Sequence, residues 1–426
     1  MLDIKLIREN PKLVKDDLKK RNDLEKLAWV DDLLAKDEEF RKLTYSLQEL
    51  KHKKNTLSKE IAELKRNGKD INDKISEMKN LPTKLADAEQ RHAELREKID
   101  YYMQSLPNLL HESVPVGRTP EDNVTVREHG NIVKPKFKLK SHVDILEQLD
   151  LADTERAAKV AGARFYYLKR ELVLMDIALQ KLALDLLSGK GYILMEVPLM
   201  INRKAISGAV QLSDFEDVIY KIEDEDLYMI GTSEHSIACY HMNETLATAF
   251  LPLRYAGVSS CFRKEAGSHG KDTKGIFRVH QFNKVEQFIF CEPKDSWKLH
   301  EELIKNAEEI FKALELPYRI VNICTADIGS IAAKKYDLEV WMPVQEAYRE
   351  MVSCSNCTDY QARKLNIRFG QEGAPGNPNV HTLNSTAVAT SRLIAAILEN
   401  YQQKDGTIKV PKALQKYMGV KVIGKI

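Results

Sequence analysis

Apolar side chains recur at alternating steps of three and four over residues 40–64, a heptad spacing typical of helices that pack along one another. The apolar positions are Phe40, Leu43, Leu47, Leu50, Leu57, Ile61 and Leu64, with Lys54 at the one polar position. After a break at residues 67–70, the spacing resumes at Ile71, Ile75, Met78, Leu85, Ala88, Leu95 and Ile99. Two helices joined by a short turn should fold back as an antiparallel hairpin. We therefore predict a helical arm over about residues 40–104, with Pro82 kinking the second helix or marking its start.

Two interpretations of this arm are open. A two-helix hairpin buries only its seam, so most of its surface should carry solvated charges. The commoner use of heptads is a dimerisation or spacer coiled coil, and the residues alone favour it. The alternative is a surface that binds the backbone of a long polyanion. Its basic residues would be Lys51, Lys53, Lys54, Lys59, Lys65 and Arg66.

The pattern changes after Ser105, where turn-forming residues interrupt any long element. These are Pro107, Pro115, Gly117, Pro120, Gly130 and Pro135. Helical spacing over about 142–190 then gives way to short strand-like runs such as YILMEVPLM, LYMIG, FRVHQF and EQFIF, and the last strong helix is STAVATSRLIAAILENYQ. Mixed strands with helices around them predict an α+β domain built on an antiparallel sheet. The chain should divide into residues 1–106, a linker with short extended pieces over 107–135, and a sheet domain over 136–426.

Composition narrows the class of protein. The 426 residues carry 65 basic and 63 acidic side chains, so the net charge of +2 predicts no general affinity for polyanions. Any nucleic-acid surface must be a local arrangement. The N-terminus is charged from Asp3 onward, and no apolar stretch is long enough to cross a bilayer. We predict a soluble, cytoplasmic protein that does not enter a membrane.

The six cysteines are few for this length and suit a reducing compartment. Only Cys354 and Cys357 form a CxxC pair, and no second ligand pair lies at a spacing that zinc requires. We interpret them as thiols near a turn and expect no zinc.

A charged hairpin is predicted at residues 259–290, SSCFRKEAGSHGKDTKGIFRVHQFNKVEQFIF, where two strand-like segments flank a glycine- and lysine-rich loop. Alternate residues of a strand share one face. One face would therefore carry Arg263, Glu265, Arg278, His280, Phe282 and Glu286, while Val279 and Val285 point the other way. The arginines could clamp phosphate or carboxylate oxygens, and the aromatic ring offers a flat surface to a base. The alternative is a surface ion pair, worth under about 1 kcal/mol.

Three further groups are weaker signals. Arg392 lies in a helix of small apolar residues, where it reaches either the exposed side or a site with an anion or an aromatic face. Glu350 and Ser353 could share a hard cation such as Mg²⁺. Thr232 and Glu234 could grip an ammonium group. No glycine-rich phosphate loop is present in the sequence, so a nucleotide would have to bind by another device.

In this order along one chain, these segments resemble the signature motifs of the class II aminoacyl-tRNA synthetases, and specifically the seryl-tRNA synthetase family. Besides the arm, the resemblance is carried by MLDIKLIRENP, SLPNLLHESVPVG, GYILMEVPLM, GTSEH, CFRKEAGSHGKDTKGIFRVHQFNKVEQ, AKKYDLEVWMP, SCSNCTDYQARKLNIRF, HTLNSTAVATSR and VPKALQKYMG. It covers nearly the whole chain. CFRKEAGSHGKDTKGIFRVHQFNKVEQ and SCSNCTDYQAR are its most specific parts, whereas the arm alone is not specific.

The resemblance implies a class II synthetase-type antiparallel sheet as the catalytic domain at 136–426, after an N-terminal tRNA-binding domain at 1–106 that includes the two-helix coiled-coil arm. It implies that ATP and L-serine form seryl-adenylate with Mg²⁺, and that serine then passes to tRNA(Ser), which the arm would contact. The tRNA for selenocysteine would also be charged where it exists. GYILMEVPLM, with Pro198, would be the motif 1-like segment of a homodimer.

The resemblance also implies residue roles. The catalytic residues would be Arg263 and Arg392. The ATP site would consist of Arg263, Glu265, Arg278, Val279, Phe282, Glu350, Met351, Val352, Ser353 and Arg392. The serine pocket would consist of Thr232, Ser233, Glu234, Arg263, Glu286 and Thr386, and Mg²⁺ would be bound by Glu350 and Ser353. Arg263 would hold the α-phosphate and the serine carboxylate, Glu265 the adenine edge, and Phe282 with Arg392 would sandwich the adenine ring.

One motif departs from the commoner pattern. Many bacterial relatives read HTLNGSG where this chain reads HTLNSTA, but Thr386 keeps a hydroxyl there. Two rival hypotheses differ in class. A relative that loads a carrier protein would lack the arm, and a non-catalytic RNA-binding or coiled-coil scaffold would show eroded motifs; neither feature is seen in this sequence.

Overall fold

The computed structural model describes residues 1–211, 217–265 and 274–424. They divide into a helical unit, Leu2–Leu106, and a sheet unit, Met1 with Pro107–Ile426. Within the described ranges, no helix combines the length and apolar character that crossing a membrane requires.

The helical unit contains five helices. They are α1 (Ile4–Glu9), α2 (Pro11–Lys20), α3 (Leu24–Arg66), α4 (Asn72–Lys79) and α5 (Leu81–Ser105). Asp23 caps α3 by accepting a hydrogen bond from the main-chain N–H of Lys26 at 3.1 Å, which explains why this helix begins well before the heptad pattern.

The long helices α3 and α5 form the predicted antiparallel arm. Ion pairs join Glu39 to Arg91 and Lys51 to Glu89, both at 2.8 Å, so the two helices run in opposite directions. Buried seam residues include Leu47, Leu57, Leu85, Leu95 and Ile99. The predicted second helix is divided into α4 and α5. Pro82 lies in the first turn of α5, where no intrahelical partner is needed for its nitrogen, so it marks a helix start and not a kink.

The sheet unit contains nine helices among its described residues. They are α6 (His142–Gln148), α7 (Thr154–Ala161), α8 (Glu171–Gly189), α9 (Arg203–Ala209), α10 (Ser233–Ala238), α11 (Ser296–Ala313), α12 (Tyr360–Leu365), α13 (Thr390–Tyr401) and α14 (Lys412–Met418). Its strands are β1 (Val124–His129), β2 (Ala152–Asp153), β3 (Tyr167–Leu168), β4 (Ile193–Glu196), β5 (Met200–Ile201), β6 (Tyr228–Met229), β7 (Thr245–Leu246), β8 (Leu253–Phe262), β9 (Gln281–Cys291), β10 (Tyr318–Asn322), β11 (Lys334–Met342), β12 (Ala347–Asn356), β13 (Arg368–Phe369), β14 (His381–Ala389), β15 (Ile408–Lys409) and β16 (Val422–Ile423).

Eight strands form one large sheet in the order β1-β10-β11-β12-β14-β9-β8-β4. Every neighbouring pair is antiparallel except β4 and β8, which run parallel at one edge. The predicted antiparallel α+β architecture is therefore confirmed. Segment 107–135, predicted to be a linker, contributes β1 to the opposite edge.

The two faces of β9 belong to different cores. Val285 and Ile289 pack into the larger core, which also contains buried residues of α8, α11 and α13. Phe288 and Phe290 pack on the other face with apolar residues of α10 and α12. Because alternate side chains of a strand point to opposite faces, the even-numbered polar residues of β9 share the second face.

The predicted hairpin differs from the observed one in where its strands end. β8 ends at Phe262 and β9 begins at Gln281, so Arg263, Glu265, Arg278 and His280 lie outside regular strand. Pairing continues for one step, because the Arg263 N–H donates to the His280 carbonyl at 3.0 Å. Glu265 then takes a φ of 51°, which strand geometry excludes. Most of the predicted loop falls on 266–273, outside the described residues.

Candidate active site

A cavity of about 360 Å³ opens on the sheet face that carries the even-numbered residues of β9. It brings together nearly all of the residues assigned from the sequence. These are Thr232, Glu234, Arg263, Glu265, Arg278, Val279, Phe282, Glu286, Glu350, Met351, Ser353, Thr386 and Arg392. The side chains come from α10, β9, β12, β14, α13 and the segments that flank them, so the sheet supplies a rigid floor.

Two assigned residues do not line the cavity. Ser233 is fully buried, and its hydroxyl donates to the Gly257 carbonyl at 3.2 Å. Val352 is fully buried in the larger core, because it lies between Met351 and Ser353 on β12 and points to the opposite face. Their side chains are therefore directed away from a bound substrate.

One end of the cavity holds the half-buried carboxylate of Glu234. Oε1 of Glu234 accepts hydrogen bonds from Gln361 and Asn384, both at 3.1 Å. Thr232 caps α10 by accepting from the Glu234 N–H at 3.2 Å. Burial raises the pKa of Glu234 to about 7, and the nearby negative charge of Glu286 acts in the same direction. This carboxylate can change its charge near neutral pH.

Glu286 lies beside Glu234 and is held by two donors. Lys284, also on β9, places Nζ 2.5 Å from Oε2 of Glu286. Thr386 on β14 donates its hydroxyl to the same oxygen at 3.2 Å. Burial raises the pKa of the Glu286 carboxyl, while the positive charge of Lys284 opposes that rise. This end of the cavity therefore combines two carboxylates with one buried cation.

Arginines and aromatic rings occupy the other end, and Arg263 lies close enough to the carboxylates for its charge to oppose the rise that burial causes in the pKa values of Glu234 and Glu286. The guanidinium carbon of Arg263 lies 5.3 Å from the ring centre of Phe282, and its Nε donates to the Gly231 carbonyl at 3.2 Å. The guanidinium of Arg392 lies 5.4 Å from the ring centre of Phe277. Two cationic groups thus face aromatic surfaces in a cavity wide enough for a flat ring.

The sequence analysis missed several cavity residues. Lys284 and Asn384 lie two residues before Glu286 and Thr386, so the even spacing along each strand was a signal that could have identified them. Phe277 gave no such signal, because it lies outside β9 and follows no strand period. The loop residues Ile328–Ala332, which also line the cavity, carry no charge.

Glu350 and Ser353 provide oxygen atoms that suit a hard cation. Asp337 on β11 lies opposite Ser353 and is hydrogen-bonded to it. Its buried Oδ1 has no hydrogen-bond partner among the described residues. Those residues include no group of three or more His, Cys, Asp or Glu arranged as a metal site. One carboxylate and one hydroxyl still fit Mg²⁺, which usually takes few protein ligands and completes its shell with phosphate oxygens and water.

Comparisons with known proteins identify the family of the chain. A family model of the seryl-tRNA synthetase N-terminal domain matches residues 1–110, and one of the class II tRNA synthetase core domain (G, H, P, S and T) matches residues 219–401. The serine–tRNA ligase of Methanocella arvoryzae is 53% identical over 419 residues, covering 98% of this chain and 99% of that protein.

Two crystal structures extend the likeness to the fold. Seryl-tRNA synthetase from Pyrococcus horikoshii, complexed with ATP, has a TM-score of 0.92 and 51% identity over 100% of both chains. Cytoplasmic serine–tRNA ligase from Naegleria fowleri, in complex with AMP, has a TM-score of 0.87 and 36% identity over 100% of this chain and 99% of that one. Sequence and fold agree along the whole length, and the chain belongs to the seryl-tRNA synthetase family.

Proposed function

We propose that the cavity is the place where this chain, a serine–tRNA ligase, joins L-serine to ATP and passes the seryl group to tRNA(Ser). One observation carries the proposal: a single volume of about 360 Å³ has two carboxylates at one end, one buried and one half-buried, and arginines facing aromatic rings at the other. Serine has an ammonium and a hydroxyl, and ATP has a flat base and a charged triphosphate. The two ends match the two substrates.

The serine end can hold each polar group of the amino acid. Glu234 and Thr232 are assigned to the ammonium group, and Arg263 to the carboxylate. Glu286 and Thr386 are assigned to the hydroxyl. A pocket built to pair with a substrate hydroxyl rejects analogues that lack it by about 10⁴-fold or more.

The ATP end is assigned from the same cavity. Phe282 and Arg392 would enclose the adenine ring, Glu265 would accept from its edge, and Arg278 with Arg263 would contact the phosphates. The neighbours with bound ATP and AMP, at 51% and 36% identity, support a nucleotide here. Val279 and Met351 add apolar surface from positions in the cavity wall.

Ser233 and Val352 can contribute only through the main chain. The Ser233 hydroxyl is committed to Gly257, and the Val352 side chain lies in the larger core. Any contact of these two residues with a substrate would therefore involve their main-chain N–H or C=O groups.

Chemistry in this site depends on placement and charge. A carboxylate oxygen of serine would attack the α-phosphorus of ATP, and pyrophosphate would leave. A hydroxyl of the terminal ribose of the tRNA would then attack the carbonyl carbon of seryl-adenylate, and AMP would leave. Arg263 and Arg392 would hold the reacting groups in line and stabilise the charge that develops on the phosphate oxygens.

Glu350 and Ser353 would hold Mg²⁺, with Asp337 orienting the Ser353 hydroxyl. The cation, when bound, would neutralise part of the negative charge of the phosphates. The protein's own contribution is to present oxygen ligands beside the arginine-rich end of the cavity.

The helical arm is proposed to bind tRNA(Ser). The match of the N-terminal family model to residues 1–110 and the exposed charges on α3 and α5 support this use over a spacer. Recognition of a tRNA by its shape and its phosphate backbone requires basic side chains, and it does not require aromatic side chains that stack on bases. Charging of the tRNA for selenocysteine and a cytoplasmic location remain predictions.

A homodimer is proposed through the edge strand β4. Ile193 and Leu194 on this strand are 54% and 46% exposed, and Ile177 on α8 is 57% exposed. Apolar side chains exposed on an edge strand and on a helix surface suit a protein interface. Light scattering of the purified protein should give twice the mass of the chain, and a monomer at micromolar concentration would contradict this proposal.

The decisive experiment is the transfer of labelled serine to unfractionated tRNA with ATP and Mg²⁺, with alanine, threonine, glycine and cysteine as controls. We expect charging with serine alone. Arg263→Ala should abolish serine-dependent pyrophosphate exchange, and normal exchange in that variant would refute the site assignment. Absence of charging despite ATP binding would favour a carrier-loading or scaffold protein.

A further inference from the structure

Lys284 is a buried cation to which the roles above assign nothing. Its side chain is 6% exposed, and that of its ion-pair partner Glu286 is 2% exposed. The two residues lie two apart on β9 and point into the same cavity. A lysine is almost never fully buried unless its charge is paired, because desolvating the ammonium group is costly. Its place beside the proposed serine pocket therefore calls for a specific role.

The contacts of Glu286 leave one of its oxygens to a ligand. Lys284 lies 2.5 Å from Oε2, and Thr386 donates to that same oxygen at 3.2 Å. Two donors on one oxygen, one from β9 and one from β14, fix the plane of the carboxylate. Oε1 accepts no hydrogen bond from the described residues, so it is the oxygen that remains for a substrate group.

Other charged and titratable groups surround this carboxylate. They are Glu234 on α10, Cys261 on β8, Arg263 just after β8, and Cys354 on β12. Burial raises the pKa of Glu286, and Lys284 is the largest influence that lowers it. Without Lys284, the two neighbouring carboxyls would repel each other more strongly and Glu286 would take up a proton more readily.

We propose that Lys284 is a positioning residue that gives the pocket its preference for serine, because it orients Glu286 so that Oε1 accepts a hydrogen bond from the substrate hydroxyl. The inference rests on the function proposed above and deepens it. An ionised carboxylate only accepts hydrogen bonds, so it requires a donor on the substrate. Alanine has none and would leave a buried charge unpaired. Lys284 also occupies the side of Glu286 that would otherwise attract the ammonium group, which is left to Glu234.

The test compares Lys284→Met with the wild type in pyrophosphate exchange driven by serine or alanine, between pH 6 and 9. We expect the serine KM to rise at least about tenfold, since breaking a buried charge pair is costly, while the ATP KM changes less than about twofold. The preference for serine over alanine should fall. The serine KM should also reach its plateau at a higher pH, because Glu286 ionises later. Lys284→Arg keeps the positive charge and should restore most of the serine affinity.

A matched control is Lys294→Met. Lys294 also pairs with a glutamate two residues away, Glu292 at 3.0 Å, but its side chain is 70% exposed. We expect no change in either KM, because exposed pairs contribute little.

A double variant separates positioning from folding. If Lys284 acts through Glu286, adding Lys284→Met to Glu286→Gln should change the serine KM by less than about twofold. This variant contains no unpaired Glu286 charge, so it remains informative if Lys284→Met alone does not fold. Additive effects, or an unchanged serine KM in folded Lys284→Met, would overturn the inference. Failure of the wild type to exchange pyrophosphate with serine would instead refute the proposed function.

Discussion

Arg278 donates a hydrogen bond from Nη1 to Oε2 of Glu265 at 2.8 Å, and both side chains are mostly buried. The Nε of Arg278 is buried and has no hydrogen-bond partner among residues 1–211, 217–265 and 274–424. The two residues assigned to opposite ends of ATP, the phosphates and the adenine edge, are thus hydrogen-bonded to each other. Arg278 therefore both orients Glu265 and presents a guanidinium to the cavity.

The first prediction concerns Arg278→Ala. We expect the ATP KM in pyrophosphate exchange to rise about tenfold to a hundredfold, because alanine removes a charge-assisted hydrogen bond to phosphate and no longer orients Glu265. The serine KM should change much less. Arg254→Ala is the control, since Arg254 pairs with Glu302 at 2.9 Å and neither residue lines the cavity. An unchanged ATP KM in Arg278→Ala would contradict the assignment.

The second prediction is a pH dependence set by Glu234. Its pKa of about 7 means that the carboxyl is mostly protonated at pH 6 and mostly ionised at pH 8. Only the ionised form attracts an ammonium group, so the serine KM should fall as the pH rises through 7, by up to about tenfold per pH unit below the pKa. The ATP KM should follow this trend only weakly.

Glu234→Gln checks this interpretation. The amide cannot ionise, so we expect a high serine KM that stays flat between pH 6 and 8. The same slope in the variant and the wild type would mean that another group titrates.

The third prediction concerns Gly257 on β8, where α10 approaches the sheet. A Cβ on Gly257 would lie 2.5 Å from Cδ1 of Ile237 and 2.8 Å from Oγ of Ser233, both on α10. Gly257→Ala should therefore push away the helix that carries Glu234. We expect a decrease of about 1–3 kcal/mol in the free energy of unfolding, measured with urea, and a larger rise in the serine KM than in the ATP KM.

Gly189→Ala is the matched control for that substitution. Gly189 ends α8, and a Cβ there would meet nothing within 4 Å. Alanine should be neutral or stabilising by up to about 1 kcal/mol, because it lowers the entropy of the unfolded chain. Equal decreases of stability in the two variants would show that the clash with α10 is not the cause.

Periodicity alone predicted the elements in which one period holds over many residues. The heptads predicted the arm, and the even spacing along one segment predicted that Phe282 and Glu286 share a face. Lys284 has the same spacing, yet in sequence a lysine two residues from a glutamate is typical of a surface ion pair. Only its burial reveals a different role, and burial depends on α10 and β14, which are distant in sequence.

Other features of the fold and the site depend on contacts between segments that are distant in sequence, and local patterns do not reveal such contacts. Val124 of β1 pairs with Asn322 of β10, about 200 residues further along the chain, and nothing local in VTVREH indicates that partner. The local pattern of this segment therefore predicts only a linker with short extended pieces. Phe277 was missed for a related reason, since its ring reaches the cavity from a stretch without regular secondary structure, where no period links position to direction.

The fourth prediction separates the basic residues of the arm. Lys51 and Lys53 pair with Glu89 at 2.8 Å and Glu77 at 2.6 Å. Lys54, Lys59 and Lys65 are exposed, and the described part of the chain, which includes the whole arm, gives them no ion pair within 4 Å. These three lysines, with Arg66, which is also exposed, are the cations of the predicted set most available to phosphates.

We expect Lys54→Ala, Lys59→Ala and Lys65→Ala together to weaken binding of tRNA(Ser) and to reduce the slope of log affinity against log salt by roughly 0.7–0.9 for each phosphate that is no longer neutralised. Serine-dependent pyrophosphate exchange should stay normal, because none of the three lines the cavity. The double variant Lys51→Ala with Lys53→Ala is the control and should change the slope less, since each cation is already partly neutralised by a glutamate. A triple variant with an unchanged salt slope would return the arm to its simpler interpretation as a spacer, because counterion release necessarily accompanies the neutralisation of phosphates by lysines.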